Sequence, residues 1–474
     1  MQRYDLVLRG SRVLDPANSF DSVADIGIRA GLVEAISDRM PESETDRSID
    51  LSGLWAIPGQ IDTHAHVAGM SRTVDPAIGY RMLARAGTTT VLDMGGTGDN
   101  LINGLNRKGA GLNVAGLLAL VPGLTIPSDS PSKGEIATTV SGALRQGCIG
   151  VKILGGYHPF SSETTADIVS ECNQQNAYVA FHIGTKDSGS HLGGLREIPD
   201  IVGDGRLHVC HVNSYCRGVI ERPEEECIEA ISIMKDMRGQ LNTEVYHAIP
   251  NGTNGSCDRE GNVIANVPRN CLQAKNYSPT FDGMKAAILD GYASVIQQKG
   301  DDISYVKGSE ALKLYESSKT RIGMSFPVNL PASAFSLTTA KNSDGEFIVD
   351  AVSTDGGSHP RNIAIQSTMS LVKFGAISPL EMSKKLSLTP SRMLGLKNKG
   401  HFTEGADADI TVIDPVSGEP VMSFVAGNAI MANGKILGTG GTLLVTSAAE
   451  RKAEKSGIPF QVIDLGQSKL YKGF

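Results

Sequence analysis

Gly59-Gln60-Ile61-Asp62-Thr63-His64-Ala65-His66 carries more structural information than any other stretch of this chain. A buried-looking run that ends in two histidines one residue apart reads as a β-strand. Side chains at i and i+2 of a strand share a face. Both imidazoles then aim at one point, as a borderline-soft metal ion requires. From here to about residue 398 short apolar runs such as Thr89-Thr90-Val91-Leu92-Asp93 and Gly150-Val151-Lys152-Ile153-Leu154 each precede a plausible helix. That alternation predicts an α/β fold, a (β/α)8 TIM-type barrel spanning residues 59–398 with its active site at the C-terminal ends of the strands.

On either side the texture changes. Leu6-Val7-Leu8, Ala24-Asp25-Ile26-Gly27-Ile28 and, far downstream, Ile410-Thr411-Val412-Ile413 are strand-like runs separated by turn residues. They predict a small β-sandwich made from residues 1–58 and 399–474. The interval around 251–347 breaks the barrel rhythm and is too long for an ordinary connection, so it reads as a lid-like insertion. The tail after Thr446 is weakly patterned, either wrapping a neighbouring subunit of a homo-oligomer or fraying.

The chain has 474 residues, a formal net charge of −7 and no dense Lys/Arg cluster, which argues against nucleic acid as a partner. No apolar run reaches the roughly 20 residues of a membrane helix. Seven scattered cysteines without a CxxC pair suit reduced thiols and a cytoplasmic setting. The expected partner is a small-molecule substrate.

Further ligand-type residues close other strand-like runs. Lys152 lies inside one, and a lysine facing a barrel interior is costly unless it is paired or neutralised. Its plainer role is to bind a substrate carboxylate. His182 ends Tyr178-Val179-Ala180-Phe181. His208 and His211 are three apart, so on one strand they face opposite ways, and His211, nearer the strand end, is the candidate. Asp355 precedes two glycines, suited to ligating a metal and accepting a proton from water, or else to capping a helix. Tyr157, Asn213, Arg217, His359 and Arg361 lie near these strand ends and are the candidates for binding substrate.

His64-x-His66, Lys152, His182, His211 and Asp355, in that order, resemble the amidohydrolase superfamily of metal-dependent barrels. Gly405-Ala406-Asp407-Ala408-Asp409-Ile410 is familiar from the same source. Gly150 to Pro159, Val245-Tyr246, Asn251-Gly252-Thr253 and His359-Pro360-Arg361 look like N-acyl-D-amino-acid deacylases. Those enzymes carry a cysteine ligand that Thr89 to Gly96 lacks, whereas Lys152 matches the carboxylated lysine of hydantoinases and dihydroorotases. The resemblance implies two divalent metal ions, zinc by donor type, with His64, His66 and Asp355 on one, His182 and His211 on the other, and N6-carboxylated Lys152 between them. It implies hydrolysis of a C–N amide bond, in an N-acyl amino acid or a cyclic amide, by a hydroxide shared between the metals, with Asp355 as proton shuttle. A single-metal deaminase of a heterocyclic base and a non-catalytic assembly protein on the same fold are the alternatives. Lys152 counts against the first and the complete ligand set against the second.

Overall fold

The computed structural model describes residues 3–69 and 75–472. Eight parallel strands form the centre: β1 (Gln60–His66), β2 (Thr88–Asp93), β3 (Ala110–Ala119), β4 (Gly150–Leu154), β5 (Tyr178–His182), β6 (Leu207–Val209), β7 (Leu241–Tyr246) and β8, which comes in two pieces, Ala351–Ser353 and Gly356–Gly357. Each strand from β1 to β7 pairs in parallel with the next. The first piece of β8 then pairs with β7, Val245 opposite Val352, and the second with β1, Gly357 opposite His66. The ring therefore closes through β8, and the two residues between its pieces are Thr354 and Asp355. The Asp355 backbone takes a left-handed φ of 46°, a turn that lets one strand serve two neighbours.

Period-two alternation explains which side chains face inward. Val151, Ile153, Val179, Phe181, Val209 and Val352 join the cluster beneath the outer helices. Ile61, Leu92, Leu117, Tyr178, Ala180 and Cys210 fill the barrel interior. Lys152 and His182 share the inward parity of Tyr178 and Ala180. Helices follow the strands, among them Gly98–Lys108, Lys133–Arg145, Ser162–Gln174 and Pro223–Asp236. Ser132 and Glu135 form a capping box at the start of the second of these.

The terminal strands form the expected β-rich domain, a nine-stranded hydrogen-bonded sheet around its own core. Strand Leu6–Asp15 bends at Gly10, whose φ is 70°, pairing with Ser48–Asp50 before the bend and Trp55–Pro58 after it. The expected boundary at 474 needs correction. Strand Gly440–Val445 leaves this sheet and pairs in parallel with β3, because Leu443 and Val445 bury against Val114, Leu101 and Leu105 on the barrel wall. The tail after Thr446 continues on this wall, with Phe460–Val462 pairing in parallel with Gly440–Val445.

The insertion is a folded body. Thr253–Asn254, Gly323–Ser325, Ser294–Lys299 and Asp302–Val306 make a four-stranded sheet with helices Asn266–Gln273, Phe281–Leu289 and Gly308–Ser317 around a separate core. It ends earlier than the sequence suggests. Helix Pro331–Thr339 buries Leu337 in the main barrel core and occupies the position after β7.

Candidate metal centre and substrate cavity

The predicted ligands converge at the C-terminal mouth of the barrel. Nε2 of His66 lies 3.1 Å and Nε2 of His64 lies 3.4 Å from Asp355 Oδ1. Side-chain donors of these three residues all fall within 4.8 Å of one another. The ring centroids of His64 and His211 are 5.2 Å apart, and those of His182 and His211 are 4.5 Å apart. Burial, then the nearby Lys152 charge, pushes His64 down to about 4 and His182 well below its ordinary value. Burial and the neighbouring His182 do the same to His211. All three are thus neutral at pH 7, with lone pairs free to ligate. Asp355 is anionic: burial opposes its charge, but Arg361, 2.8 Å from Oδ2, outweighs that and holds it well below the carboxylate range. It is no helix cap, since its oxygens face His64, His66 and Arg361.

Residues behind the ligands fix their aim, and sequence reading missed them. Glu244, fully buried on β7, accepts from His64 Nδ1 at 2.5 Å and from Thr63 Oγ1 at 2.7 Å. That bond turns His64 Nε2 toward Asp355, the carboxylate–histidine arrangement that orients metal ligands. Asp62 accepts from the backbone N–H groups of His64 and Thr354 and from Thr354 Oγ1, tying β1 to the β8 turn that carries Asp355. Asp93 accepts from Val67, Ala68 and Gly96 N–H groups, shaping the loops after β1 and β2. The signal for Glu244 was in the sequence: an acid within the strand Leu241–Tyr246 demands a partner as much as Lys152 does.

Lys152 Nζ sits 2.6 Å from Cys210 Sγ and 3.1 Å from Met94 Sδ. Among the described residues no carboxylate lies within 4.0 Å of it. The opposite-face argument for the histidines of β6 fails in its premise, because the strand stops at Val209 and His211 turns left-handed with φ 35°. Both rings therefore come inside. His208 is fully buried below the mouth with Nδ1 3.0 Å from Tyr178 Oη, and His211 reaches the ligand cluster. Nδ1 of His211 is buried with no hydrogen-bond partner, as an open coordination position would leave it. The donors present therefore fit divalent metal: neutral imidazoles, an anionic carboxylate and an unclaimed buried nitrogen.

These residues face a cavity of about 1420 Å³, walled on the far side by the insertion. Tyr157, His359, Arg361 and Arg217 line it. Tyr157 Oη donates to Gly252 O at 2.8 Å, and the Arg361 guanidinium stacks 4.9 Å from the Tyr246 ring. Nε of Arg361 and Nδ1 of His359 are buried and unpartnered. Asn213 is a correction. It is fully buried, accepts from the Tyr246 backbone N–H at 3.1 Å and does not line the cavity, because the turn after His211 points it into the wall.

Sequence and structure comparisons agree with this fold. The Amidohydrolase family model matches residues 329–438. The dihydroorotase of Citrifermentans bemidjiense is 24% identical over 434 residues, covering 87% of this chain and 90% of its own length. In sequence the chain is thus similar to amidohydrolases. Among solved structures, the chain is similar in fold to a D-aminoacylase studied for its binuclear metal center, with TM-score 0.66 and 17% identity over 92% of this chain and 99% of that one. A D-hydantoinase matches with TM-score 0.59 and 16% identity over 92% of this chain and 98% of that one. No helix among the described residues is long and apolar enough to cross a membrane.

Proposed function

We propose that this chain hydrolyses the C–N amide bond of a small carboxylate-bearing compound, a linear N-acyl amino acid ahead of a cyclic amide. The observation that carries this reading is the joining of a metal-type donor cluster to a cavity larger than the usual 300–1,000 Å³ or so of small-ligand sites. A cyclic ureide leaves most of that space empty. Two divalent ions, zinc by donor type, are assigned to His64, His66 and Asp355 and to His182 and His211. Lys152 in N6-carboxylated form would add an anionic donor for these ions at a position where no carboxylate stands within reach. When bound, such ions supply Lewis acidity, polarising a carbonyl and acidifying water.

The remaining work falls to the chain. Asp355 presents Oδ1 to the ligand cluster while Arg361 grips Oδ2, so it starts anionic and accepts the proton of the attacking water. It then delivers that proton to the departing nitrogen. Arg361 Nε and His359 Nδ1, both without partners, face the substrate carboxylate. Burial raises the Tyr157 phenol above its ordinary value, so it stays protonated and holds the insertion loop at Gly252. The seven cysteines are free thiols, which suits the cytoplasm.

The test is amine release from N-acetyl-D- and N-acetyl-L-amino acids, run beside hydantoin and dihydrouracil, with metal-loaded protein. Release from the acyl amino acids, lost on chelation and in Asp355→Asn, supports the reading. No C–N cleavage in any of these compounds refutes it.

A further inference from the structure

Among the described residues lining the cavity, Asp355 is the one carboxylate, and it is committed to His64, His66 and Arg361. Against it stand Arg361 at the metal end and Arg217, Lys275 and Arg321 further out. A basic cavity in a chain of net charge −7 is a local reversal that composition alone conceals. Such a cleft concentrates anionic ligands.

Arg217 is the most organised of the outer cations. Its Nε and Nη2 both donate to one neutral acceptor, Asn329 Oδ1, at 3.0 and 2.5 Å. Asn329 is itself buried and fixed, its Nδ2 donating to Tyr246 Oη at 2.6 Å and Ala248 O at 2.8 Å. The guanidinium is thus held in place without a counter-charge: no carboxylate among the described residues pairs with Arg217, Lys275 or Arg321. Its charge reaches His182 on one side and Cys271 and Tyr292 of the insertion on the other. It therefore lines the cavity near both the ligand cluster and the insertion wall. The loop that carries it is pinned by buried Glu226, which accepts from the N–H groups of Gly218 and Ile220 at 2.7 and 2.8 Å.

We propose that the cavity takes an amide bearing a second anionic group, and that Arg217, held by Asn329 across from the metal end, is the residue that reads that group. The inference rests on the amide-hydrolase reading for the chemistry, but not for the binding. The substrate class becomes an N-acyl dicarboxylic amino acid or a comparably dianionic amide. Arg217 offers its remaining N–H donors to the distal carboxylate. Exposed Lys275 and Arg321 contribute attraction at the rim that salt screens. An uncharged cyclic ureide leaves all three cations without a partner.

Two probes that no amidase consumes, glutarate and its monomethyl ester, separate binding from turnover. Calorimetry on the metal-loaded protein is expected to show glutarate binding about tenfold tighter, the effect of one charge-assisted contact. Arg217→Gln is expected to bring the ratio near one, and Arg217→Lys to restore part of it. Raising salt is expected to shrink the ratio in the wild type. Equal binding of the two probes, binding of neither, or a ratio that survives Arg217→Gln overturns the proposal. In parallel, N-acetylglutamate and N-acetylglutamine are offered as substrates. Cleavage of both without preference leaves the hydrolase standing and overturns the second anion site. A glutarate preference without cleavage of either amide keeps the site and counts against the hydrolase.

Discussion

Replacing Glu244 by glutamine removes a charge from behind His64 while keeping its shape. The glutamate carboxylate is fully buried, 2.5 Å from His64 Nδ1 and 2.7 Å from Thr63 Oγ1. Glutamine still accepts from His64 and so preserves the tautomer that presents Nε2 to Asp355. What it loses is charge assistance. A buried hydrogen bond to a charged group contributes roughly 1.5–3 kcal/mol and a neutral one roughly 0.5–1.5 kcal/mol, so the difference is about 1–1.5 kcal/mol. That converts to roughly a tenfold loss of metal affinity. Glu244→Leu removes the acceptor altogether and strands a buried N–H, which moves the loss toward the upper end of the roughly 10- to 100-fold range for outer-sphere ligand partners. The assay is competition for zinc with a chromogenic chelator at fixed pH and bicarbonate, with circular dichroism confirming that each variant is folded. The expected order is wild type, glutamine, leucine. Folded variants that both bind zinc within threefold of wild type would refute the claim that Glu244 sets the aim of His64.

A Cβ on Gly156 would stand 2.4 Å from His182 Nε2, so Gly156→Ala is expected to displace that ring. The predicted result is loss of one bound metal per chain with little change in melting temperature, read by metal analysis beside a thermal melt. Lys385 is fully buried, donating to Val349 O at 2.7 Å, and burial pushes its ammonium down from 10.5 to about 7. Its folded-state value lies below the unfolded one, so between about 7 and 10.5 the unfolded chain binds more protons and the Lys385 contribution to stability rises with pH. Lys385→Met is expected to flatten that rise in urea melts taken at pH 7 and pH 9.5; an unchanged difference between the two pH values would contradict it.

How much of this was legible in the sequence depends on the local backbone. His64, His66, Lys152 and His182 were readable because strand parity survives to the last residue of β1, β4 and β5. His211 lies in the ligand cluster, but the reason for choosing it does not hold, since no periodicity reveals that β6 stops two residues earlier. Asn213 was misplaced by the same turn. Arg217 reached the right cavity from an irregular loop, but its neutral partner Asn329 lies more than a hundred residues away and has no local signature. The strand Gly440–Val445 looks like its sheet-forming predecessors, and only the apolar wall of β3 decides where it pairs.

The familiar run Gly405–Asp414 acquires a physical reason from the structure. Asp409 is buried and accepts from Lys399 Nζ at 2.6 Å, Asn113 Nδ2 at 2.9 Å and the Ala426 N–H at 2.9 Å. Lys399 also pairs with Asp407 at 2.8 Å. One carboxylate thereby fastens β3 to the terminal sheet. A buried pair of this kind holds register more than it adds net stability. It lies outside the ligand cluster and serves the site only by anchoring the barrel on which the ligands sit.

The most direct test of the whole account is the number of metal ions per chain, measured by plasma mass spectrometry on protein produced with zinc and bicarbonate, beside Lys152→Ala. The account predicts two in the wild type and one or none in the variant. Wild-type protein that carries no metal would contradict the assignment of His64, His66, His182, His211 and Asp355 as ligands, and equal content in both proteins would remove Lys152 from between them.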